Sequence, residues 1–329
     1  MMRTGAVSIA SNALPPELVA RFKAALDRLN PEGGKIGLAV SGGPDSMAML
    51  LLAHEAIPGG FEVATVNHGL RPEAADECAL VERACAERGV ACAVLAAFWN
   101  TMKNVQASAR RGRYQALGEW AEQRGLTHVA TAHHADDQAE TLLMRLNRGS
   151  GVAGLAGVRE DSCIDAWPEI GLIRPLLTFR RQELTQVVEC AGVPVVLDPS
   201  NSDDRYDRVR IRKVLADAVW LDPVALVRSA SNLADAEDAL DMFGRELWGR
   251  HITLDDGAYR FCQPYVGTEM QMRLVRRIFA SLGSEPRGSE LAHLIERLQA
   301  HKSANLGGVL ATVEGDDWLF RPEPPRRSG

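Results

Sequence analysis

The segment that most constrains the fold is an unbroken apolar run, Ile36-Gly37-Leu38-Ala39-Val40, that passes without a linker into Ser41-Gly42-Gly43-Pro44-Asp45-Ser46. A short continuous run of this kind suits a strand covered on both faces, which is the condition of a parallel sheet. Similar runs follow at residues 61–66, 91–95 and 128–131, with a shorter one at 172–174. Stretches with helical periodicity separate them, at 45–56, 73–88, 105–124 and 180–190. Strand and helix alternating about every 30 residues predict βαβ units and an α/β class, with a doubly wound, mainly parallel sheet of Rossmann-like kind. Ligands in such sheets sit outside the carboxyl ends of the strands, so the segments leaving the apolar runs are where chemistry is sought.

The chain of 329 residues exceeds an ordinary single domain. The pattern places a first domain over 1–215, with the polar, Pro-containing stretch 193–212 read as a loop that closes it. A smaller mixed α+β domain is expected over 216–329: a helical run to about 250, alternation over 251–261, two helical runs, and alternation over 306–320. Nothing in the sequence has the apolar length of a spanning helix, and the N-terminal stretch does not read as a signal peptide, so no membrane association is expected. Six cysteines occur without a CxxC pair or a zinc-ligand spacing. That usage fits reduced thiols and a cytoplasmic setting.

Ser41–Ser46 reads as an anion-binding loop. Two glycines permit close backbone approach, Pro44 suits the first turn of a helix, and amides there face an anion with Ser41 and Ser46 hydroxyls as further donors. An acid in such a loop is unfavourable without a cation, so Asp45 points to Mg²⁺ bridging to phosphate. The alternative is a plain tight turn, which two glycines alone would favour. The complete S-G-G-x-D-S string between a buried strand and a helix is more specific. No Walker A string occurs. Gly149-Ser150-Gly151-Val152-Ala153-Gly154 matches G-x-G-x-x-G in letters, but it follows a helical run and not a strand, so it reads as tight turns.

Other segments leave the same sheet edge. Val66-Asn67-His68-Gly69-Leu70-Arg71 offers His68 and Arg71 to a nucleotide or substrate, or is simply a polar strand exit. Arg110 and Arg113 share one helix face, as in phosphate binding, against the alternative of a solvated basic helix; Tyr114, Leu117 and Trp120 supply a packing face. In His133-His134-Ala135-Asp136-Asp137, the carboxylates suit a helix start; Asp137 is also a candidate for metal or substrate. The net charge of −6 opposes a nucleic-acid partner, yet between Asp203 and Lys213 five basic residues face three acids.

Taken together, S-G-G-P-D-S, N-H-G-L-R, A-R-x-x-R-Y, H-H-A-D-D-Q-A-E-T, R-L-N-R-G-S-G-V-A-G-L, Arg174-Pro175-Leu176-Leu177, Asp198-Pro199-Ser200-Asn201 and R-Y-D-R-V-R-I-R come in the order found in one family. Over residues 35–215 the chain resembles the tRNA(Ile)-lysidine synthetases, within the PP-loop (N-type) ATP pyrophosphatases. Asn67 departs from a common Asp, and Val209 stands where R-N-R-I-R is usual. The resemblance implies an AMP-forming ligase that modifies tRNA. ATP and Mg²⁺ would sit at Ser41, Gly42, Gly43, Pro44, Asp45 and Ser46, with His68, Arg71 and His133 also contacting ATP. Asp45 and Asp137 would hold Mg²⁺, with Arg110 and Arg113 joining them in catalysis. Arg205, Arg208, Arg210 and Arg212 would bind tRNA, although surface or interdomain salt bridges are their plainer use. The partners implied are tRNA(Ile) with a CAU anticodon and free L-lysine, and a homodimer is open because some relatives are dimers. Three rivals stand beside this reading: a PP-loop tRNA thiolase, which commonly uses a cysteine pair; a small-molecule amidating ligase; and a tRNA-binding module without catalysis.

Overall fold

The computed structural model describes residues 13–67, 69, 74–97, 105–197, 205, 207–218, 220–262 and 266–323. Its chain divides into two compact units between Ala234 and Asp235. That division falls inside a long helix, α9 (Pro223–His251), and later than the 215/216 boundary expected from the change of pattern.

The first unit is built from α1 (Pro16–Leu29), β1 (Ile36–Ala39), α2 (Pro44–Ala56), β2 (Phe61–Asn67), α3 (Ala74–Ala86), β3 (Cys92–Ala96), α4 (Val105–Arg124), β4 (His128–Ala130), α5 (Ala135–Asn147), α6 (Val152–Leu155), β5 (Asp161–Ile164), β6 (Trp167–Ile173), α7 (Arg181–Ala191) and α8 (Asp207–Asp217). Its six-stranded sheet has the order β3-β2-β1-β4-β6-β5. All pairings are parallel except that of β5 with β6. The chain thus moves outward from β1 in one direction through β2 and β3, then returns to β1's other side with β4. That reversal is the switch point where a doubly wound sheet opens a crevice.

Successive strand residues feed two cores, as the period of two requires. Ile36, Leu38, Val63, Ala130 and Ile173 join a cluster with Phe22 of α1, Met47 and Leu50 of α2, Val81 of α3 and Val187 of α7. Ala64, Val129 and Leu172 join Leu117, Trp120 and Ala121 of α4 on the other face. α2 is buried along most of its length, from Ser46 to Ala53, so the helix that begins at the phosphate-type loop is anchored in the core rather than on the surface.

Two sequence expectations are corrected. The stretch 193–212 is not all loop, because α8 begins at Asp207 and carries Arg208, Arg210 and Arg212 on a helix. The short run at 172–174 overlaps the end of a longer strand, β6, which stops at Ile173 and is paired antiparallel with β5, an element the sequence pattern did not reveal.

The second unit has β7 (Ile252–Asp255), β8 (Ala258–Phe261), α10 (Thr268–Ser281), α11 (Gly288–Gln299), β9 (Ala304–Leu306), β10 (Val309–Glu314) and β11 (Asp317–Pro322). Its five strands form an antiparallel sheet, β7-β8-β11-β10-β9. Leu274, Ile278 and Phe279 of α10 and Leu291 and Leu294 of α11 pack on Phe261, Ala311 and Phe320 of the sheet. Among the described residues no helix is long and apolar enough to cross a membrane.

Candidate active site

The carboxyl ends of β1 and β4 are neighbours, and the segments leaving them build one cleft. After β1 the chain turns at Gly42, where φ is 83°, a conformation side chains adopt only with strain. A Cβ at that position would also stand 3.1 Å from Val196 Cγ2. Val196 N donates to Gly42 O at 2.9 Å, pinning the loop from the segment after α7. Ser46 Oγ accepts from Ser41 N at 3.1 Å and donates to Gly43 O at 3.0 Å, with Ser41 Oγ at 3.2 Å. The two serines therefore stiffen the loop as well as offering donors, and Pro44 opens α2 as its position suggested.

Asp45 lies in the first turn of α2. Its Oδ2 is 3.5 Å from His134 Nε2, and its Oδ1 is buried without a hydrogen-bond partner among the described residues. His134 is fully buried and caps α5. Its Nε2 is also 3.5 Å from Asp137 Oδ2, and its Nδ1 is 3.6 Å from Asp136 Oδ2. Burial acts to lower the His134 pKa, but Asp45 and Asp137 outweigh it and hold the pKa above its ordinary value. Burial acts to raise Asp45, and His134 outweighs it in turn, leaving that carboxyl below the usual range. The histidine thus joins the two carboxylates singled out from the sequence, a part that sequence reasoning missed.

His133 faces a different field. Burial comes first and the guanidiniums of Arg174, Arg113, Arg110 and Arg208 follow, pushing it down to about 3. The ring is neutral at pH 7, with Nδ1 3.0 Å from Thr131 Oγ1. Arg110 and Arg113 stand on α4 with their guanidinium carbons 5.0 Å and 5.5 Å from the centre of the Tyr114 ring. An opening of about 340 Å³ is lined by Ser41, Gly43, Asp45, Ser46, Arg110, Arg113, His133, Asp137 and Arg208, with Ala39, Thr131 and Ala132. One cleft therefore gathers most of the residues picked from segments far apart in sequence. Gly42 and Pro44 shape its loop without lining it. His68, Arg71 and Asp198-Pro199-Ser200-Asn201 lie outside the described residues.

The basic block of α8 is divided. Arg208 donates from Nη2 to Asp137 Oδ1 at 2.8 Å and from Nε to Glu140 Oε2 at 2.6 Å. Arg212 donates from Nε to Glu140 Oε1 at 2.8 Å, and Arg181 of α7 from Nη2 to the same oxygen at 3.3 Å. Glu140 is 1% exposed. Burial acts to raise its carboxyl, but Arg212 and Arg208 bring it below the ordinary value. Arg205 and Arg210 are exposed, Arg210 in contact with Asp207 one turn away. Glu140 and Arg181 were not found from sequence. The available signal was spacing, since Glu140 follows Asp137 by one helical turn on the same face.

Among the described residues no three His, Cys, Asp or Glu side chains are grouped to hold a metal ion by themselves. The cleft's donor set is two carboxylates, with one buried oxygen of Asp45 unpartnered. That set fits Mg²⁺, which keeps waters and binds through one or two carboxylates together with substrate phosphates.

A parallel switch-point sheet whose first strand feeds a Gly-Gly loop and a buried helix defines a PP-loop protein, and the PP-loop domain family matches residues 16–219. The chain is 45% identical over 310 residues to the tRNA(Ile)-lysidine synthase of Novosphingobium aromaticivorans, covering 94% of this chain and 95% of that one. It is 38% identical to the tRNA(Ile)-lysidine synthase of Zymomonas mobilis, covering 91% of each. The chain belongs to the tRNA(Ile)-lysidine synthase family. A U34-tRNA thiolase from Methanococcus maripaludis shares the fold at a TM-score of 0.55 and 19% identity, over 67% of this chain and 80% of that one; at that identity the likeness concerns the fold alone.

Proposed function

We propose that this enzyme activates the wobble cytidine of a tRNA(Ile) bearing a CAU anticodon with ATP and then joins free lysine to it. The C2 oxygen of the base attacks the α-phosphorus of ATP and pyrophosphate leaves. The lysine amine then attacks C2 and AMP leaves, giving lysidine. The observation that carries the reading is the convergence of Ser41, Asp45, Ser46, Arg110, Arg113, His133 and Asp137 on one cleft.

Backbone amides at the loop and at the start of α2 would hold ATP phosphates, with the Ser41 and Ser46 hydroxyls beside them. Arg110 and Arg113 would stabilise the charge that develops as pyrophosphate departs. His133, held neutral, adds no competing positive charge and can hydrogen-bond the nucleotide. Asp45 and Asp137 would hold Mg²⁺, which supplies Lewis-acid polarisation of the phosphate. His134 fixes where those two carboxylates stand. Arg205 and Arg210, both exposed, would meet the tRNA backbone; Arg208 and Arg212 are held by the buried carboxylate of Glu140. The reaction needs tRNA, lysine and ATP together, which places the proposed activity in the cytoplasm.

The test is transfer of labelled lysine to purified tRNA(Ile) with a CAU anticodon in the presence of Mg-ATP, with tRNA(Met) as control. Incorporation into the isoleucine tRNA alone, abolished by Asp45→Ala, is the expected result. If no lysine enters while tRNA-dependent pyrophosphate release persists, the adenylation half stands and the second substrate is wrong.

A further inference from the structure

A second opening of about 440 Å³ lies between α4 and the β5–β6 hairpin and shares Arg110 with the first cleft. Its lining combines cations and rings: Arg110, Arg111, Arg174, Tyr114 and Trp167. Arg174 is only 4% exposed. Its Nη1 donates to Arg159 O and, at 3.2 Å, to Ser162 Oγ, while its Nε is buried with no partner. Among the described residues no carboxylate lies within 4 Å of it, and none within 4 Å of Arg110 or Arg111. A buried guanidinium without a counter-ion is costly, so its place in the lining points to an anion that completes it. Tyr114 Oη is buried beside the Arg174 guanidinium and favours its charged form, but it is a neutral group and does not balance that charge.

The aromatic wall is built deliberately. Trp167 seats against α4 only because residue 118 is glycine; a Cβ there would stand 2.3 Å from the indole Cε3. Its Nε1 donates to Glu122 Oε2 at 3.1 Å, which fixes the ring. Rings beside unpaired guanidiniums are the combination that takes an unstacked base together with its phosphate. One carboxylate, Asp165, also borders the groove. It is exposed at the hairpin turn, where solvent and salt screen it in a way they do not screen Arg174.

We propose that this groove is a subsite for one nucleotide of single-stranded RNA, with the base against Trp167 and Tyr114 and the phosphate at Arg174 and Arg111. The proposal rests on the tRNA reading above. Because Arg110 borders both openings, the nucleotide held here is a close neighbour of the base being activated. A base taken out of its stack for chemistry leaves its neighbours unstacked as well, and this groove offers one of them a new surface.

The intact protein supplies a first test, because exposed Cys163 lines the groove. Alkylation of Cys163 by iodoacetamide, followed by peptide mass mapping, is expected to slow several-fold with anticodon stem-loop RNA and to be unchanged by ATP alone. Protection by ATP alone would assign the groove to the mononucleotide and overturn the proposal. Two variants extend the test. Arg111→Glu, at an exposed position, is expected to raise KM for tRNA about tenfold and to reduce the salt dependence of RNA binding by about 0.7 in log–log slope, one phosphate contact, with KM for ATP unchanged. Tyr114→Phe keeps the ring and removes the hydroxyl beside Arg174, so it is expected to weaken RNA binding several-fold with KM for ATP unchanged. If lysine transfer proceeds while Cys163 labels at the same rate with RNA and Arg111→Glu leaves KM for tRNA unchanged, the groove falls and the enzymatic reading stands. If the wild-type protein neither binds the RNA nor transfers lysine, the enzymatic reading itself falls.

Discussion

On α7 and α8, Arg181, Arg208 and Arg212 converge on the buried carboxylate of Glu140. On α4 and just past β6, Arg110, Arg111, Arg113 and Arg174 have no carboxylate within 4 Å among the described residues. The two groups belong to the same compact unit and to one residue type, yet their charges are in different states. A guanidinium already matched to a carboxylate adds little field for an incoming polyanion and much rigidity to its surroundings. An unmatched one keeps its field and costs stability to hold. The openings between β1, β4, α4 and the β5–β6 hairpin are bordered mainly by the second kind, with Arg208 of the first kind at one of them. A chain with a net charge of −6 can therefore still present unmatched guanidiniums at its site, beside the carboxylates of Asp45 and Asp137.

The largest effect that would test this contrast is at the unmatched group. Arg113→Ala is expected to lower the rate of tRNA-dependent pyrophosphate release by about 10²–10³, the usual consequence of removing one preorganised donor from a developing charge, while the thermal midpoint barely moves. An equal loss of rate from Arg212→Ala with stability intact would erase the distinction.

Glu140→Gln probes the matched group and should do the opposite. Leaving its arginines without their buried partner is expected to cost about 3 kcal/mol of stability at pH 7, measured by urea unfolding. The pH dependence has a definite sign. The folded carboxyl sits below its unfolded value of about 4.3, so its stabilisation is complete above that value and is lost as pH falls through the folded one. The wild-type protein should lose stability over that acid interval, and the variant should show a flatter acid limb.

Much of the first unit was legible because each parallel strand is a continuous apolar run and each helix between has its own period. β5 and the length of β6 were not. Asp161-Ser162-Cys163-Ile164 and Trp167-Pro168-Glu169-Ile170 lie at the sheet's edge, where one face meets solvent and no continuous apolar run is needed. The start of α8 was missed because Arg208-Val209-Arg210-Ile211-Arg212 alternates charged and apolar residues and shows no helical period; the ion pairs to Glu140, which sequence periodicity does not register, give it a place to dock. At the site, the loop and the carboxylates at Asp45 and Asp137 were readable as motifs. His134 and Arg174 stood inside motifs, but their parts were not legible: that of His134 depends on three carboxylates brought to it from two helices, and that of Arg174 on its burial.

The smallest expected effect divides the basic block itself. Arg210 and Arg212 are two residues apart on α8, so they point in different directions, and simple charge counting treats them alike. Arg210 is exposed and meets Asp207 within the same helix, a kind of pair worth about 0.5 kcal/mol or less. Because the Arg210 side chain is 59% exposed, Arg210→Ala should move the unfolding midpoint less than Arg212→Ala does and act mainly on RNA. The expected change is a few-fold rise in KM for tRNA that disappears at high salt, as the loss of one phosphate contact requires. Arg212→Ala should show the reverse pattern, lower stability with little change in the salt dependence of tRNA binding, because its charge is held by Glu140. If instead the two variants alter the salt dependence equally, then Glu140 releases Arg212 when RNA arrives, and the matched group would be a reserve of charge opened by the substrate rather than a fixed support.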